Sequence, residues 1–348
     1  MILKEFRELR RDRRTVAMLV VLPVLLLVVF GYAANFTIDS VATQVVGPGA
    51  EHAAAALPEP FDLQGTDPSA GADEAHRLLR DNEADVVVDT GTVPPTVYVD
   101  GSNLFVAQAA VAALGRLGDQ VSTEVLFNPD LTTSWVMVPG LVGLILAFIG
   151  TIITSIGLVR ERQTGTLEQL AVMPLRPSDV IVGKIAPYFI LASLDMLVVT
   201  LLGVWIFDVP FVGNPVLFAA GAAGFLLVVL GFGVLISTAS QTQGQAIQLA
   251  IMTLLPQILL SGFIFPLAAM PPGVRWIGYC LPLTYFIQLS QGIMLRGAGI
   301  DSLWPALVVL TGMAAVVFTA AVLRFRRDLA PARRRPHAHA PAPSGVAA

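Results

Sequence analysis

Long apolar runs alternate with short polar stretches over most of this chain. Six runs reach the length of roughly 20 mostly apolar residues that a helix needs to cross a bilayer. They are Val16–Ala34, Val136–Val159, Ile185–Phe207, Pro215–Ile236, Ala246–Phe265 and Leu303–Leu323. At about 1.5 Å per residue the shortest extends about 28 Å, close to the thickness of a hydrocarbon core. The first run also has the outline of a secretory signal, with basic residues before it and Ala33 and Ala34 at its end. Its length and the five runs that follow favour an uncleaved helix.

The polar pieces between the runs differ in kind. Residues 35–135 form the largest, with turn-rich sequence first (Gly47, Pro48, Gly49, Pro58, Pro60, Gly65, Pro68) and more regular sequence later. Ala72–Asp81 reads as a helix, Val86–Val88 and Thr96–Val99 as short β-branched strands, and Ser102 as the cap of a helix running to about Leu117. A small α/β domain is expected, with a partly disordered loop as the other reading. In the loop 160–184, Thr166-Leu-Glu-Gln169 fits a capping box that would start a short helix with Leu167, Leu170 and Ala171 on one face. Pro174 and Pro177 would stop it, and Ser178 would cap the next helix. Such a helix can insert an apolar knob into a partner's groove or lie on the membrane surface. Past Gly262, toward and beyond the end of the fifth run, Pro266, Pro271, Pro272, Gly273 and Pro282 break the chain into apolar pieces too short to cross alone. With Trp276, Tyr279 and Tyr285 suited to the interface, these pieces read as a re-entrant helical hairpin. The tail after Ala330, rich in Pro, Ala and Arg, reads as disordered.

Composition supports a membrane protein: 55% of residues are hydrophobic and 13% charged, against about 25% charged in a soluble domain. Basic residues are segregated. Lys4 to Arg14 before the first span, Arg160, Arg162, Arg176 and Lys184 after the second, and Arg324 to Arg335 after the last account for sixteen of the 21. By the positive-inside rule both termini and the loop 160–184 are cytoplasmic, and the acidic piece 35–135 and the hairpin are external. The expected fold is therefore an all-α membrane bundle of six helices. A small external α/β domain lies between helices 1 and 2, and an external re-entrant hairpin between helices 5 and 6. The divisions are 1–34, 35–135, 136–325 and a tail 326–348. One cysteine, Cys280, excludes an internal disulfide, and four scattered histidines offer no metal constellation.

Within the third span stands Asp195. A central aspartate costs about 3 kcal/mol on insertion, which the surrounding aliphatic residues offset. Asp195 reads either as facing an aqueous or substrate path, or as a hydrogen-bond partner of a neighbouring helix. The same two readings hold for Gln243, Gln245, Gln248 and Gln257 on the fifth span.

At these residues the chain resembles the permease subunits of type-2 ABC exporters, including the drug-exporter-like permeases. Four stretches carry the resemblance in order: LRRDRRTVAMLVVLPVLLLVVFGYA, FNPDLTTSWVMVPGLVG, ERQTGTLEQLAVMPLRPSDVIVGKIAPYF and LSGFIFPLAAMPPGVRWIGYCLPLTYFIQLSQGIMLRG. The resemblance implies two membrane subunits of six helices each, this chain with a second copy or a paralogue, in a bacterial inner membrane. It also implies two separate ATPase subunits that hold ATP and Mg, with no cofactor and no nucleic acid bound by this chain. It makes Glu161–Leu175 the coupling helix, carried by Glu161, Arg162, Gly165, Thr166, Leu167, Glu168, Leu170, Pro174 and Leu175. Gln163 stands where the family often has a charged residue. The cargo expected is hydrophobic or amphipathic, a drug-like molecule or a lipid, moved outward.

The residues themselves agree that energy comes from elsewhere. The nearest fragment to a phosphate-binding loop, Gly183-Lys184, is followed by Ile185 and lacks the glycine-rich turn and the hydroxyl. A secondary transporter would show inverted repeats and several ionisable residues in its spans, where this chain has Asp195 alone. A membrane enzyme would need clustered His, Asp or Cys near an interface. A non-transporting sensor built on the external domain is opposed only by the coupling loop.

Overall fold

The computed structural model describes residues 24, 38, 40–164 and 177–329. Expectations placed on the first span, on 165–176 and on the tail fall outside these residues.

The first described unit is a five-stranded mixed sheet. Its strands are β1 (Val41–Val46), β2 (Phe61–Asp67), β3 (Val86–Asp89), β4 (Thr96–Asp100) and β5 (Ser122–Leu126), in the order β2-β1-β3-β4-β5. Pairing is parallel except between β3 and β4, where Val86 faces Val99 and Val88 faces Val97. Alternation places Val41, Val45, Val86, Val88, Val97 and Val99 on one face, under α1 (Ala50–Ala55) and α3 (Leu104–Leu114). Val46, Val87 and Tyr98 point to the other face, where α2 (Ala72–Arg80) covers them with Ala75, Leu78 and Leu79. The central strands are buried on both sides, which explains their continuous apolar run. The expected α2, β3 and β4 are present, and the segment is a folded three-layer unit rather than a loop. Strands β1 and β2 occupy the stretch expected to be turn-rich. The two edges, FDLQGTD and STEVL, carry exposed polar side chains, as an edge that must not pair with another chain requires.

A helical bundle follows. Among the described residues four helices are long and apolar enough to cross a membrane: α4 (Thr133–Gln163), α5 (Pro177–Phe207), α6 (Pro215–Ala239) and α10 (Ile300–Leu329). Between α6 and α10 come α7 (Gln243–Leu260), α8 (Pro272–Gly278) and α9 (Pro282–Met294). The fifth predicted span therefore stops at Leu260 rather than Phe265, because Gly262 takes φ +92°, which no helix continues. Helix α5 already includes Pro177, which puts Ser178 inside its first turn rather than ahead of it as a cap.

Helix α4 lies at the centre. It packs on α5, α6, α7 and α9, and α6 packs in turn on α10. Its glycines permit this, as small residues do wherever helices approach closely in a membrane. A Cβ at Gly140 would fall 2.8 Å from Phe263, and one at Gly150 2.8 Å from Val229 of α6. One at Gly143 would collide with Phe286 of α9, whose ring stacks on Phe225 of α6 at 4.6 Å.

The sheet unit is tied to the bundle by a buried charge. Arg296, in the α9–α10 connection and 8% exposed, presents Nη1 to Asn82 Oδ1 at 2.9 Å, Ser102 Oγ at 3.1 Å and Asp100 Oδ2 at 3.4 Å. Ser102 is thus not the helix cap expected. Helix α3 starts after Asn103 with no side-chain cap, and Ser102 faces the guanidinium instead. A second tie is Asn128, fully buried, which accepts from Thr132 N–H and donates to the carbonyls of Gly101 and Thr132. It fixes the exit of β5 into α4.

Gly312 of α10 has open space where a Cβ would go. Gly312→Ala should hold or raise the thermal midpoint of the purified protein. Gly143→Ala should lower it, since overpacking costs about 1–3 kcal/mol against a helix-propensity gain of about 1 kcal/mol. Equal shifts would contradict the α4–α9 contact. Arg296→Ala, which strands the buried carboxylate of Asp100, should cost about 3–5 kcal/mol. Nearby, burial raises the Asp85 carboxyl above its ordinary 3.8, and the negative Asp100 adds to this. The folded state therefore holds that proton at a pH where the unfolded chain has lost it. Stability should fall as pH rises from about that ordinary value through the raised one, and Asp85→Asn should abolish this slope in pH-dependent melting.

Candidate functional site

The candidate site lies at the end of α4 furthest from the sheet. The last turn of α4 carries Arg160, Glu161, Arg162 and Gln163, charges and amides that the apolar bundle cannot bury unpaired. Each of the last three reaches a different neighbour. Glu161 forms an ion pair with Lys184 near the start of α5. Arg162 donates from Nη1 to the carbonyl of Ser240, at the end of α6, at 3.1 Å. Gln163 donates to the carbonyl of Gln241 at 3.3 Å and accepts from Gln243 Nε2 at 3.1 Å. The turn between α6 and α7 is itself closed by Gln245, whose Oε1 accepts from Gln241 N–H at 3.0 Å, and by Thr242, which caps α7. Three elements are therefore gathered where the chain leaves α4 and re-enters at α5. Gly165, Thr166, Leu167, Glu168, Leu170, Pro174 and Leu175 lie outside the described residues. Glu161 and Arg162 hold the base of that loop. Gln163, where a charge is usual in the resembled family, serves here as an amide bridge to the α6–α7 turn.

The five residues expected along a path do not share one site. Gln245 is committed to the α6–α7 turn, Gln248 is exposed on α7, and Gln257 is 2% exposed with Oε1 lacking a partner. Nine residues separate Gln248 from Gln257, which places them about 180° apart around a helix. Asp195 lies elsewhere, at a cavity of about 200 Å³ between α4, α5 and α6, with Oδ2 buried and unpartnered.

The hairpin residues act as helix starts rather than as simple breaks. Pro266 precedes a short 3₁₀ turn over Leu267–Ala269, Pro271 and Pro272 open α8, and Pro282 opens α9. Arg275 folds the piece together, donating from Nη2 to the carbonyls of Ala268 at 2.7 Å and Met270 at 3.1 Å. A cavity of about 210 Å³ separates this hairpin from the sheet unit and is lined by Asn82, Ser102, Phe263, Gln288 and Arg296 among others. In the sequence Arg296 stands only as one of the five basic residues outside the three basic clusters. The signal that could have found its role is that a lone arginine between apolar runs needs a buried partner.

Comparison with known proteins agrees with this architecture. Residues 13–323 match the family model described as ABC-2 family transporter protein. The chain is 32% identical over 254 residues to the probable multidrug ABC transporter permease YbhR of Escherichia coli (strain K12), covering 68% of this chain and 69% of that one. It is 31% identical over 330 residues to the probable multidrug ABC transporter permease YbhS of the same organism, covering 84% and 87%. It is 32% identical over 212 residues to that organism's inner membrane transport permease YhhJ, covering 60% and 56%. With its apolar spans, its mixed sheet and a family match over most of its length, the chain belongs to the ABC-2 family of transporter permeases.

Proposed function

We propose that this chain is the membrane subunit of an ATP-driven exporter that moves a hydrophobic or amphipathic molecule outward. The observation that carries the reading is the convergence at the end of α4. Glu161, Arg162 and Gln163 tie α5, α6 and the α6–α7 turn to the base of one loop. A force applied to that loop would reach three helices at once. In this reading an ATPase subunit docks on 161–175, holds ATP and Mg itself, and pushes on the loop as it closes. Because α4 runs from the loop to the sheet unit, the push would be felt at the opposite face. Six spans, cytoplasmic termini, an external sheet unit and placement in a bacterial inner membrane complete the proposal. YbhR and YbhS match the chain about equally, at 32% and 31% identity, and the second permease is proposed to be a copy of this chain or a paralogue of that kind.

The test is co-expression with a candidate ATPase, followed by purification and measurement of ATP hydrolysis. The ATPase should copurify, and Glu168→Lys should cut permease-stimulated hydrolysis by about fivefold or more, the usual lower range of a coupling energy. Glu161→Lys should also weaken coupling, and adding Lys184→Glu should restore it, because the pair would be rebuilt with its signs exchanged. Failure to copurify, or full coupling in Glu168→Lys, would sink the exporter reading. For orientation, Ala70→Cys and Leu170→Cys would each be placed in a Cys280→Ser background. The first should label only from outside and the second only from inside, and equal labelling from outside would refute the topology.

A further inference from the structure

Asp195 stands about 20 Å from either end of the span Val182–Phe207, at 1.5 Å per residue. It is therefore at mid-depth. The cavity of about 200 Å³ beside it is walled by Gly150, Ile153 and Thr154 of α4 and by Tyr188 and Leu191 of α5, and Asp195 is the one charged residue in its lining. Residues 188, 191 and 195 follow the three- and four-residue steps of one helix face. Two polar atoms at the cavity are buried without a hydrogen bond, Asp195 Oδ2 and Thr154 Oγ1, and Thr154 is fully buried. Neither can satisfy the other as placed. The cavity is not sealed within the bundle, since Ile153 is 49% and Leu191 62% exposed on the surface that lipid would cover.

An isolated carboxylate in an apolar site is costly unless a cation pairs with it. A protonated amine supplies both the charge and three N–H donors. Those donors find two unpartnered acceptors at the cavity, the Asp195 carboxylate and the Thr154 hydroxyl. The apolar walls suit a carbon skeleton, since a dry cavity of about 150 Å³ accepts benzene. The opening toward lipid lets a longer tail stay in the bilayer. We propose that this cavity is a binding site for amphipathic amines, with Asp195 holding the ammonium group, and that such amines are the cargo class of the transporter. The second half rests on the exporter reading above, and the first does not.

The full chain would be reconstituted in nanodiscs of neutral phosphatidylcholine without any ATPase. Equilibrium dialysis would compare 1-naphthylmethylammonium with its neutral isostere 1-naphthylmethanol, against protein-free nanodiscs. Wild type should bind the ammonium saturably and at least about tenfold more tightly than the alcohol, a difference of about 1.4 kcal/mol. Asp195→Asn should bring the two to equal affinity, Asp195→Glu should keep the preference, and Thr154→Val should weaken the ammonium alone. Equal binding of both probes by wild type, as a merely water-filled cavity would give, overturns the proposal. So does an undiminished preference in Asp195→Asn. Should Asp195→Asn fail to fold, the wild-type ratio and the Asp195→Glu ratio decide alone. An amine preference without ATPase copurification would leave the site standing and remove the exporter reading, and copurification with no preference would do the reverse.

Discussion

Four glycines of α4 let four different elements close upon it. Gly140 admits Phe263 of the hairpin, Gly143 admits Phe286 of α9, Gly150 admits Val229 of α6, and Gly157 admits the hydroxyl of Tyr188 on α5. In lipid the tails are as apolar as leucine, so helices gain little from burying apolar surface against one another. Close packing and hydrogen bonds must do that work. A side chain at any of these four positions would push a neighbour away and open a gap that nothing else fills. The bundle's geometry follows: α4 is central because it is the helix that can be approached from every side. It is also the helix that begins at the sheet unit and ends at the loop, so what packs on it is positioned relative to both.

Two buried charges show opposite solutions to one problem. Arg296 is shielded from water and surrounded by Asp100, Ser102 and Asn82, each from the sheet unit. Its charge is compensated, and breaking that compensation would be costly on both sides. The pairing accordingly acts as a fixed joint between two units that share little other polar contact. Asp195 has one carboxylate oxygen, Oδ2, buried and unmatched. The same fold that anchors one charge leaves the other open beside a cavity, and an open charge in a low-dielectric setting is where a ligand of the opposite sign gains most.

Much of this architecture is legible in the sequence because the bilayer imposes a length and a polarity on each span. The helices α4, α5, α6 and α10 appear where apolar runs of sufficient length stand. Strands β3 and β4 are legible for a related reason, since VVV and TVYV are buried on both faces and carry no polar interruption. Strands β2 and β5 are not, because an edge strand is selected to be polar and reads as loop. The end of α7 at Leu260 was hidden by apolar residues continuing to Phe265, and only the left-handed backbone at Gly262 stops the helix. Glutamines 245, 248 and 257 share a residue type without sharing a face, and residue type alone does not reveal that. The roles of Glu161 and Arg162 depend on Lys184 and Ser240, partners supplied by other helices. No local pattern encodes such pairs.

On the proposed reading, the path of force can be followed from contacts alone. The base of the loop is held by side chains of α4 to three neighbours, two of them through backbone carbonyls that cannot rotate away. A displacement there moves α4 together with α5 and the α6–α7 turn, rather than bending the loop by itself. At the other end, α4 is joined through Asn128 to the sheet, and α9 and α10 are joined to the same sheet through Arg296. The sheet unit thus bridges α4 and the α9–α10 connection. If α4 shifts along its length, either the sheet follows and carries Arg296 with it, or the packing of Phe286 against Gly143 must slide. The stacked Phe225 and Phe286 rings resist sliding, because they also lock α9 to α6. The less costly motion is a concerted one, in which the sheet unit, α4 and α9 move as a block. The 210 Å³ cavity between hairpin and sheet lies at one border of that block, where Thr284 of α9 still holds the hairpin through the carbonyl of Gly278 at 2.6 Å.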